Sequence, residues 1–351
     1  MIGKDLLAQF NYTLPEDLIA HAPALERDAS RLFVYDTASN TISFDTFEHL
    51  ADYLPADSFL VLNDTKVVPA RLEVKKETGG KVELLLLVNE WREGDTTVPS
   101  LSDRKITVGQ TLTAHGGFSF EVMGQQENIF LLKPSVPITD LFLLLEEYGT
   151  TPVPRYLEPV PLSPEITKER YQSMFARRPA SVAAPTASLH FTPRVFKTLE
   201  QKGIGKAYVT LHVGLGTFAP ISDENLAEGK LHRELASISP READRINTQL
   251  QKGKKLIAVG TTAARALETR RGEEGLRPGE DFTDIFITPG YTFKAVDGLI
   301  TNFHLPQSSL MMLAQALLSQ KGAKRNLQEL YEIAIQEKFR FYSFGDAMLL
   351  L

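Results

Sequence analysis

Three histidines, His190, His212 and His304, lie in turns that also carry glycine, threonine, asparagine or proline. An imidazole gains or loses its proton near neutral pH, so each of them could serve as a general base or a general acid. A histidine kept for structural reasons fits the same local sequence equally well. Both interpretations therefore stay open at each position.

A second group of polar residues could bind an anion. The segment AVGTTAARALE (Ala258–Glu268) has the pattern of a strand, a Gly-Thr-Thr turn and a helix. Thr261 and Thr262 could simply cap the helix, which is a common use of threonine. The same arrangement can hold a carboxylate or a phosphate on the backbone N–H groups of a helix N-terminus. Arg265 would lie one helical turn further along the same face.

Several familiar catalytic motifs are missing from the sequence. The pair Gly214-x-Gly216 lacks the third glycine of a dinucleotide fingerprint, and there is no Walker A loop. Neither a G-x-S-x-G elbow nor a His-Glu-x-x-His metal motif occurs. The chain has no cysteine, which excludes disulfides, zinc-thiolate sites, iron–sulfur clusters and a cysteine nucleophile. We therefore expect no metal site.

The composition is that of a globular protein, with 351 residues of which 43% are hydrophobic. The net charge of −6 counts against a nucleic-acid partner unless basic residues cluster locally. For each cluster alone, a solvated surface is the simpler interpretation; the clusters are Lys66 with Arg71, Lys75 and Lys76; Arg170 with Arg177 and Arg178; and Lys321 with Lys324 and Arg325. No segment resembles a signal peptide or a membrane span, so we expect a cytoplasmic protein without membrane contact.

The elements that would position these residues follow from the hydrophobic pattern. From Val67 to about Lys133 the apolar runs are short and close together, which is typical of a small β-barrel or sandwich. Later, strands and helices alternate, which favours an α/β domain with a largely parallel sheet. Helices are predicted to begin at Ser163-Pro164, Thr192-Pro193 and Ser239-Pro240. Because ligands bind beyond the carboxyl ends of strands in such sheets, the polar turns predict one shared site.

Long motifs occur in order along nearly the whole chain: SRLFVYD (Ser30–Asp36), LNDTKVVPARL (Leu62–Leu72), GGKVELLLL (Gly79–Leu87), SVAAPTASLHFT (Ser181–Thr192), VTLHVGLGTFAP (Val209–Pro220), AVGTTAARALE, TDIFITPGYTFKAVDGLITNFHLPQSSLMML (Thr283–Leu313) and FRFYSFGDAMLL (Phe339–Leu350). Through them the chain resembles the S-adenosylmethionine:tRNA ribosyltransferase-isomerases. The resemblance implies an α/β catalytic domain of residues 1–66 and 151–351, with a largely parallel sheet. It also implies that an inserted small β-barrel domain, residues 67–150, interrupts that domain.

The resemblance further implies the reaction. In this family the ribosyl group of S-adenosylmethionine is transferred to 7-aminomethyl-7-deazaguanine at the tRNA wobble position and isomerised. The product is epoxyqueuosine, and adenine and methionine are released. The implied partners are S-adenosylmethionine as a co-substrate and a tRNA with a modified wobble base, with no metal or cofactor. We expect a monomer.

Candidate catalytic roles follow from the same resemblance. Removal of a proton from the ribose 5′ carbon needs a base, and the departing adenine needs an acid. His190, His212 and His304 would supply these groups. Asp297, a further catalytic candidate, or Asp346 would position a ribose hydroxyl or stabilise positive charge.

Candidate substrate contacts come from the remaining motif residues. Thr262 and Arg265 would hold the methionine carboxylate. Lys66 and Arg71 would contact tRNA, although Arg71 could instead pair with a carboxylate and hold the two domains together. Further substrate contacts are expected from Asn63, Thr65, Thr186, Gly214, Gly216, Thr261, Tyr291, Asn302 and Asp346.

The chain departs from the family pattern at three positions of interest. Ala180 and Ser188 replace two glycines of that pattern. A backbone conformation that requires glycine is therefore in question at Ser188. Gly229 stands where the family often has histidine, in a segment that continues to Glu234. Any role for the side chain at that position is in question too.

Two other functions compete with this interpretation. A non-catalytic RNA-binding protein is disfavoured by the polar turns and by the lack of a basic stripe. A methyltransferase that uses S-adenosylmethionine is disfavoured because no Gly-x-Gly-x-Gly turn follows an early strand. The products separate the three: adenine marks ribosyl transfer, S-adenosylhomocysteine marks methyl transfer, and no turnover marks a binder.

Overall fold

The computed structural model describes residues 4–92, 94–214, 216 and 221–351. The helices are α1 (Lys4–Ala8), α2 (Leu50–Tyr53), α3 (Ile138–Tyr148), α4 (Pro164–Arg170), α5 (Pro193–Gln201), α6 (Asp223–Glu228), α7 (Pro240–Gln251), α8 (Thr261–Arg270), α9 (Ser309–Gln320) and α10 (Leu327–Gln336). The strands are β1 (Arg31–Asp36), β2 (Thr41–Thr46), β3 (Ser58–Asn63), β4 (Thr65–Val67), β5 (Arg71–Lys76), β6 (Lys81–Leu86), β7 (Val98–Ser102), β8 (Thr111–Ala114), β9 (Ser119–Gln126), β10 (Ile129–Pro134), β11 (Arg178–Ser181), β12 (Gly205–Leu211), β13 (Lys230–Ile238), β14 (Lys255–Val259), β15 (Gly279–Ile285), β16 (Gly298–Asn302) and β17 (Ala347–Leu350).

Strands β5 to β10 close into a barrel in the order β10-β7-β6-β5-β8-β9. Their side chains alternate between the interior and the outside. In β5, for example, Leu72 and Val74 are buried while Glu73 is exposed. Helix α3 covers the barrel through Leu141 and Leu145, which belong to the same hydrophobic cluster as the strands. The predicted small β-barrel is confirmed.

The largest sheet among the described residues has nine strands in the order β15-β13-β12-β3-β14-β16-β17-β1-β2. The central strands β12, β3, β14 and β16 are parallel, and every residue of β3 is buried, as in sheets covered on both faces. Towards the edges most pairings are antiparallel, as between β1 and β2. The predicted largely parallel sheet is thus found at the centre. At one edge, a short hairpin joins β1 and β2 and imposes their antiparallel pairing.

The parallel centre brings four strand ends to one edge of the sheet. These ends are Asn63 in β3, Leu211 in β12, Val259 in β14 and Asn302 in β16. The barrel follows β3 along the chain, after the short strand β4, which pairs in parallel with β11. The barrel therefore stands at the edge where the parallel strands end.

The three predicted helix starts are confirmed. Ser163, Thr192 and Ser239 each accept a hydrogen bond from the backbone N–H three residues later. A proline follows each of them in the first helical turn, where its missing N–H costs no hydrogen bond. None of the helices in the described ranges is both long enough and apolar enough to cross a membrane.

Candidate functional site

A cavity of about 800 Å³ opens at the edge where the parallel strands end. Gly260 and Asn302, at the ends of β14 and β16, line one side of it, and the barrel residues Leu85 and Leu101 line another. Its volume lies within the usual range of small-molecule sites, about 300–1,000 Å³. The position matches that of ligand sites in open α/β sheets, and the inserted barrel supplies an additional wall.

The structure brings some of the predicted site residues to this cavity and places the others elsewhere. Those that line it are Arg71, Thr186, Gly216, Thr261, Thr262, Arg265, Asn302 and His304. Those that do not line it are Asn63, Thr65, Lys66, His190, His212, Gly214, Tyr291, Asp297 and Asp346.

The start of helix α8 presents unsatisfied hydrogen-bond donors to the cavity. Gly260 turns the chain from β14 into the helix at φ 88°, a conformation that favours glycine. The first backbone N–H groups of a helix have no partner within it. Among the described residues, Thr262 Oγ1 and the Nε and Nη2 atoms of Arg265 are buried without a hydrogen-bond partner. Because buried polar groups rarely stay unpaired, this end of the cavity is suited to an anionic group of a ligand.

Glu234 lines the cavity as well, and the sequence interpretation did not select it. Its side chain is 4% exposed and accepts a hydrogen bond from Nη1 of Arg265. Its other oxygen accepts the backbone N–H of Gly214 at 2.9 Å, which places Gly214 one contact behind the cavity wall. The available signal was the Gly229–Glu234 segment, where Glu234 agrees with the family pattern although Gly229 does not.

The imidazole of His304 lies in the cavity wall and is held from several sides. Its Nε2 atom is 2.7 Å from the hydroxyl of Thr301, and its backbone N–H donates to the hydroxyl of Tyr331 at 2.9 Å. Its carbonyl oxygen accepts the hydroxyl of Tyr12. Burial lowers the pKa of His304 to about 3, because the imidazolium would lose its hydration. The ring is therefore neutral at pH 7.

His190 lies behind the cavity wall and not in it. Its Nε2 atom is 3.2 Å from Nδ2 of Asn302, and its Nδ1 atom is 2.6 Å from Oγ of Ser30. Since the amide group donates to Nε2, the ring proton is on Nδ1 and is donated to Ser30. Oδ1 of Asn302 accepts the hydroxyl of Thr186 at 2.9 Å. His190 is thus a positioning residue that orients Asn302 and Thr186 at the cavity.

His212 faces away from the cavity. The next residue, Val213, lines the cavity, and successive residues of an extended chain point to opposite sides. The Nδ1 atom of His212 is 2.8 Å from the hydroxyl of Thr65. Burial, followed by the nearby guanidinium of Arg178, lowers the pKa of His212 to about 4. The predicted convergence of three histidines on one pocket is corrected: His304 lines the cavity, whereas His190 and His212 do not.

Asn63 and Asp297 serve the sheet itself. The side chain of Asn63 bonds both the N–H and the carbonyl of Leu211, each at 3.0 Å, and so joins the ends of β3 and β12. The carboxylate of Asp297 accepts the N–H of Leu256 at 2.8 Å. Because Asp297 precedes β16 and Leu256 is the second residue of β14, Asp297 lies at the end of the parallel strands opposite the cavity. Strand direction therefore removes Asp297 from this site.

Tyr291 and Asp346 are occupied by other side chains. The hydroxyl of Tyr291 donates to the carboxylate of Glu268 at 2.9 Å. Asp346 is 1% exposed and pairs with the guanidinium of Arg340 at 2.9 Å, while it also accepts the backbone N–H of that residue. These contacts hold loops next to the sheet, and neither side chain is part of the cavity wall.

Arg71 ties the barrel to the connection that follows it. Its Nη1 atom donates to Glu158 at 2.7 Å and its Nη2 atom to the carbonyl of Val153 at 3.0 Å. The side chain is 14% exposed. Lys66 is more exposed and lies 3.5 Å from Glu146. Of the two interpretations offered for Arg71, the contacts favour internal pairing, although its side chain also borders the cavity.

Neither Ser188 nor Gly229 strains the backbone. Ser188 is buried and its φ angle is not positive, so its backbone does not require glycine, although its buried hydroxyl has no hydrogen-bond partner among the described residues. Gly229 has φ 68° and ends α6, a position that favours glycine. Within the described ranges, no group of three or more His, Asp or Glu residues is arranged to hold a metal ion.

Comparison with known proteins places the chain in a family. The family model described as "Queuosine biosynthesis protein" matches residues 7–350. The S-adenosylmethionine:tRNA ribosyltransferase-isomerase of Acetivibrio thermocellus is 44% identical and covers 98% of this chain and 99% of its own. The protein of that name from Carboxydothermus hydrogenoformans is 41% identical, with the same coverage.

A solved structure agrees with this result. The crystal structure of an S-adenosylmethionine tRNA ribosyltransferase from Thermotoga maritima is 30% identical to this chain, with a TM-score of 0.53. The match covers 98% of this chain and 100% of that one. The motifs, the inserted barrel and these matches agree, and the chain belongs to the S-adenosylmethionine:tRNA ribosyltransferase-isomerase family of queuosine biosynthesis enzymes.

Proposed function

We propose that this enzyme transfers the ribosyl group of S-adenosylmethionine to 7-aminomethyl-7-deazaguanine at the wobble position of tRNA. The group is isomerised to give epoxyqueuosine, and adenine and methionine leave. The observation that carries the proposal is the cavity between sheet and barrel, with unpaired donors at one end and a neutral histidine in its wall. Such a site can hold a charged co-substrate and move a proton within it.

The methionine part of S-adenosylmethionine is assigned to the start of α8. Its carboxylate would accept hydrogen bonds from Thr262, from Arg265 and from the helix N-terminus, whose donors are unpaired. Glu234, held beside Arg265, would accept the ammonium group. Placing both charges of the amino-acid group on Arg265 and Glu234 leaves the sulfonium and ribose directed into the rest of the cavity.

The reaction as proposed needs a base, an acid and protection from water. The base removes a proton from the ribose 5′ carbon, which the sulfonium makes acidic, and the acid protonates the departing adenine. Loss of adenine leaves an aldehyde and a vinyl sulfonium. The amine of the modified base attacks the vinyl sulfonium and loses a proton, and the carbanion formed beside the sulfur closes the ring onto the aldehyde. The resulting alkoxide displaces methionine to form the epoxide. His304, neutral and buried in the wall, is assigned as the base. The barrel wall would exclude water from the reactive intermediates.

The proposed reaction also fixes the substrates that the enzyme must bind. S-adenosylmethionine acts as a co-substrate, and the steps above require no metal or second cofactor. The other substrate is a tRNA with a modified wobble base. We propose that the enzyme works as a monomer in the cytoplasm, without membrane contact; size-exclusion chromatography with light scattering tests the monomer.

The test is product analysis with the purified protein, S-adenosylmethionine and a tRNA carrying 7-aminomethyl-7-deazaguanine. Mass spectrometry should detect free adenine and methionine in equal amounts, together with epoxyqueuosine in the digested tRNA. Omission of tRNA is the control. S-adenosylhomocysteine as the product would instead show a methyltransferase, and binding of tRNA without any turnover would show a non-catalytic binder.

A further inference from the structure

The ribbon formed by β12, β13 and β15 has a second polar face, opposite the cavity. His232 and Glu234 of β13 line the cavity, so the alternating residues Arg233 and Leu235 point to the other side. The backbone N–H of His212 bonds the carbonyl of Leu235, and Leu235 is paired with Phe282 of β15. His212, Leu235 and Phe282 therefore form a row across three strands.

Three arginines surround this row. The guanidinium carbons of Arg92 and Arg233 lie 4.7 Å and 4.3 Å from the centre of the Phe282 ring. The Nη1 atom of Arg178 donates to the hydroxyl of Ser237, two residues along β13 from Leu235. Phe282 is 37% exposed, although it is a large apolar side chain at the edge of the sheet. We name Arg92, Arg178, Arg233 and Phe282 the arginine face.

The three guanidinium groups of the arginine face have no direct ion-pair partner within the described part of the chain. Arg92 Nη1 donates instead to the carbonyls of Asn89 and Trp91. In a chain with a net charge of −6, two guanidinium groups over one exposed ring and a third beside Ser237 mark a surface for an anion.

Three nearby acidic residues are paired with other cations. Asp64, next to the residues that hold His212, pairs with Arg177 at 2.9 Å. On β15, Asp281 lies 3.7 Å from Arg270, and Asp284 lies 3.3 Å from Lys230. Burial raises the pKa of the Glu90 carboxyl, and the guanidinium of Arg92, which is within electrostatic range, lowers it in part. Because Glu90 offsets at most one of the three guanidinium groups, the arginine face keeps a net positive charge for a partner.

We infer that the arginine face binds the tRNA substrate, with its arginines on backbone phosphates and an unpaired base of the anticodon loop stacked on the guanidinium groups that cover the Phe282 ring. The inference rests on the proposed function and names the surface that this function requires. Guanidinium groups match phosphate geometry, and bases of single-stranded RNA stack on guanidinium planes as well as on aromatic rings. An acidic peptide has no base to place on this stack, so RNA fits this combination of groups better.

The arginine face is also placed to deliver a base to the cavity. Leu231 and His232 line the cavity at the start of β13, directly next to Arg233 on the opposite face. A loop that crosses this rim would have its phosphates on the arginines while one flipped base enters the cavity. A single strand, β13, separates the cavity from the arginine face. A tRNA loop can therefore contact both at once without any change of the fold.

The test measures affinity for tRNA carrying 7-aminomethyl-7-deazaguanine against salt concentration, by fluorescence anisotropy. Arg178→Gln and Arg233→Gln should each lower the slope of log affinity against log salt by about one unit. Phe282→Leu, which keeps an apolar side chain, should weaken binding by about tenfold with little change in slope. The matched control is Lys324→Gln, an exposed cation outside the arginine face, which should leave both quantities unchanged.

Adenine release under the same conditions separates the two proposals. The variants should raise the KM for tRNA while kcat at saturating tRNA and the KM for S-adenosylmethionine stay at wild-type values. Turnover by the wild type with unchanged tRNA affinity in all three variants overturns the arginine face alone. If the variants lose no more affinity than Lys324→Gln, the arginine face is also overturned. If the wild type releases no adenine, the proposed function is overturned instead. Thermal melts verify that each variant is folded. If Arg178→Gln unfolds, Arg233→Gln and Phe282→Leu are sufficient to test the arginine face.

Discussion

At the scale of residues, access to the cavity decides which histidine can do chemistry. His190 and His304 are both buried, and their pKa values are lowered to about 4 and about 3. His304 borders the cavity, whereas His190 lies behind its wall with both ring nitrogens engaged. His304 is therefore the proposed base, and His190 is a positioning residue.

Replacement of His304 by alanine should remove the proposed base. We expect adenine release to fall by about 10²- to 10⁴-fold, the usual contribution of a general base. Binding of S-adenosylmethionine, measured by calorimetry, should stay within a few-fold of wild type because the carboxylate contacts lie on α8. Turnover close to the wild-type rate in a folded variant would assign the base elsewhere.

His190 should make the stability of the protein depend on pH. Burial lowers its pKa from 6.5 to about 4, so below pH 6.5 the unfolded chain binds the proton more tightly than the folded one. The stabilising contribution is present above pH 6.5 and is lost as the pH falls towards 4. It amounts to roughly 3 kcal/mol in all.

The measurement is urea denaturation from pH 7 to pH 4 of the wild type and of His190→Gln. The variant should lose less stability on acidification. His49→Gln is a suitable control: its hydrogen bond to Asp45 raises the pKa of His49, so this side chain cannot cause a loss of the same sign. Parallel curves for the wild type and His190→Gln would show that His190 is not buried as a neutral ring.

At the scale of elements, the two ends of helix α8 differ. The start of the helix is assigned to ligand binding, and its last turn contributes to stability. Thr262 at its start has a buried hydroxyl without a partner among the described residues, whereas Thr269 donates to the carbonyl of Arg265 at 2.8 Å. An unpaired buried hydroxyl does not stabilise the empty protein. This contrast allows binding and stability to be separated within one helix.

Thr262→Val should keep the stability of the free enzyme within about 0.5 kcal/mol, since no hydrogen bond is lost. The KM for S-adenosylmethionine should rise roughly tenfold, because a hydrogen bond to the carboxylate disappears. Thr269→Val should do the opposite, with lower stability and an unchanged KM. Steady-state kinetics and urea denaturation of both variants provide the test, and an unchanged KM for Thr262→Val would contradict the carboxylate assignment.

At the scale of the whole molecule, the site depends on how the barrel stands against the sheet. Barrel side chains line the cavity, and Arg71 connects the first barrel strand to the chain segment that returns to the α/β part. Its two donors bond Glu158 and Val153, which lie beyond the barrel in sequence. Arg71 is therefore assigned to domain attachment and not to tRNA.

Arg71→Ala should lower the free energy of unfolding by about 2 kcal/mol, because charge-assisted hydrogen bonds are lost at a largely buried site. The salt slope of tRNA binding should stay unchanged. Lys66→Ala, at an exposed ion pair, should change the stability by less than about 1 kcal/mol. Thermal melts and salt titrations measure both effects. A slope reduced by about one unit for Arg71→Ala would return this residue to the RNA surface.

Local chemistry predicted local structure well. The caps at Ser163, Thr192 and Ser239 need only a side chain and the N–H three residues later, so sequence suffices to find them. The prediction of a local hydrogen bond failed where a group far along the chain competed for the same side chain. The spacing of Ser239 and Glu242 predicts a capping box, but the carboxylate of Glu242 instead accepts the N–H of Tyr208. Such a partner, 34 residues away, is invisible to a local pattern.

The sequence by itself determined the family, the inserted barrel and the edge of the sheet where the site lies. Motif order and hydrophobic period carry that information because they depend on neighbours along the chain. Tertiary structure decided which side chains enter the cavity. Strand direction took Asp297 to the far end and alternation turned His212 away, while Glu234 gained its place through Arg265, 31 residues later. The direction in which a side chain points and its partners far along the chain are set only when the strands assemble. The sequence therefore predicts where the site lies but not which side chains line it.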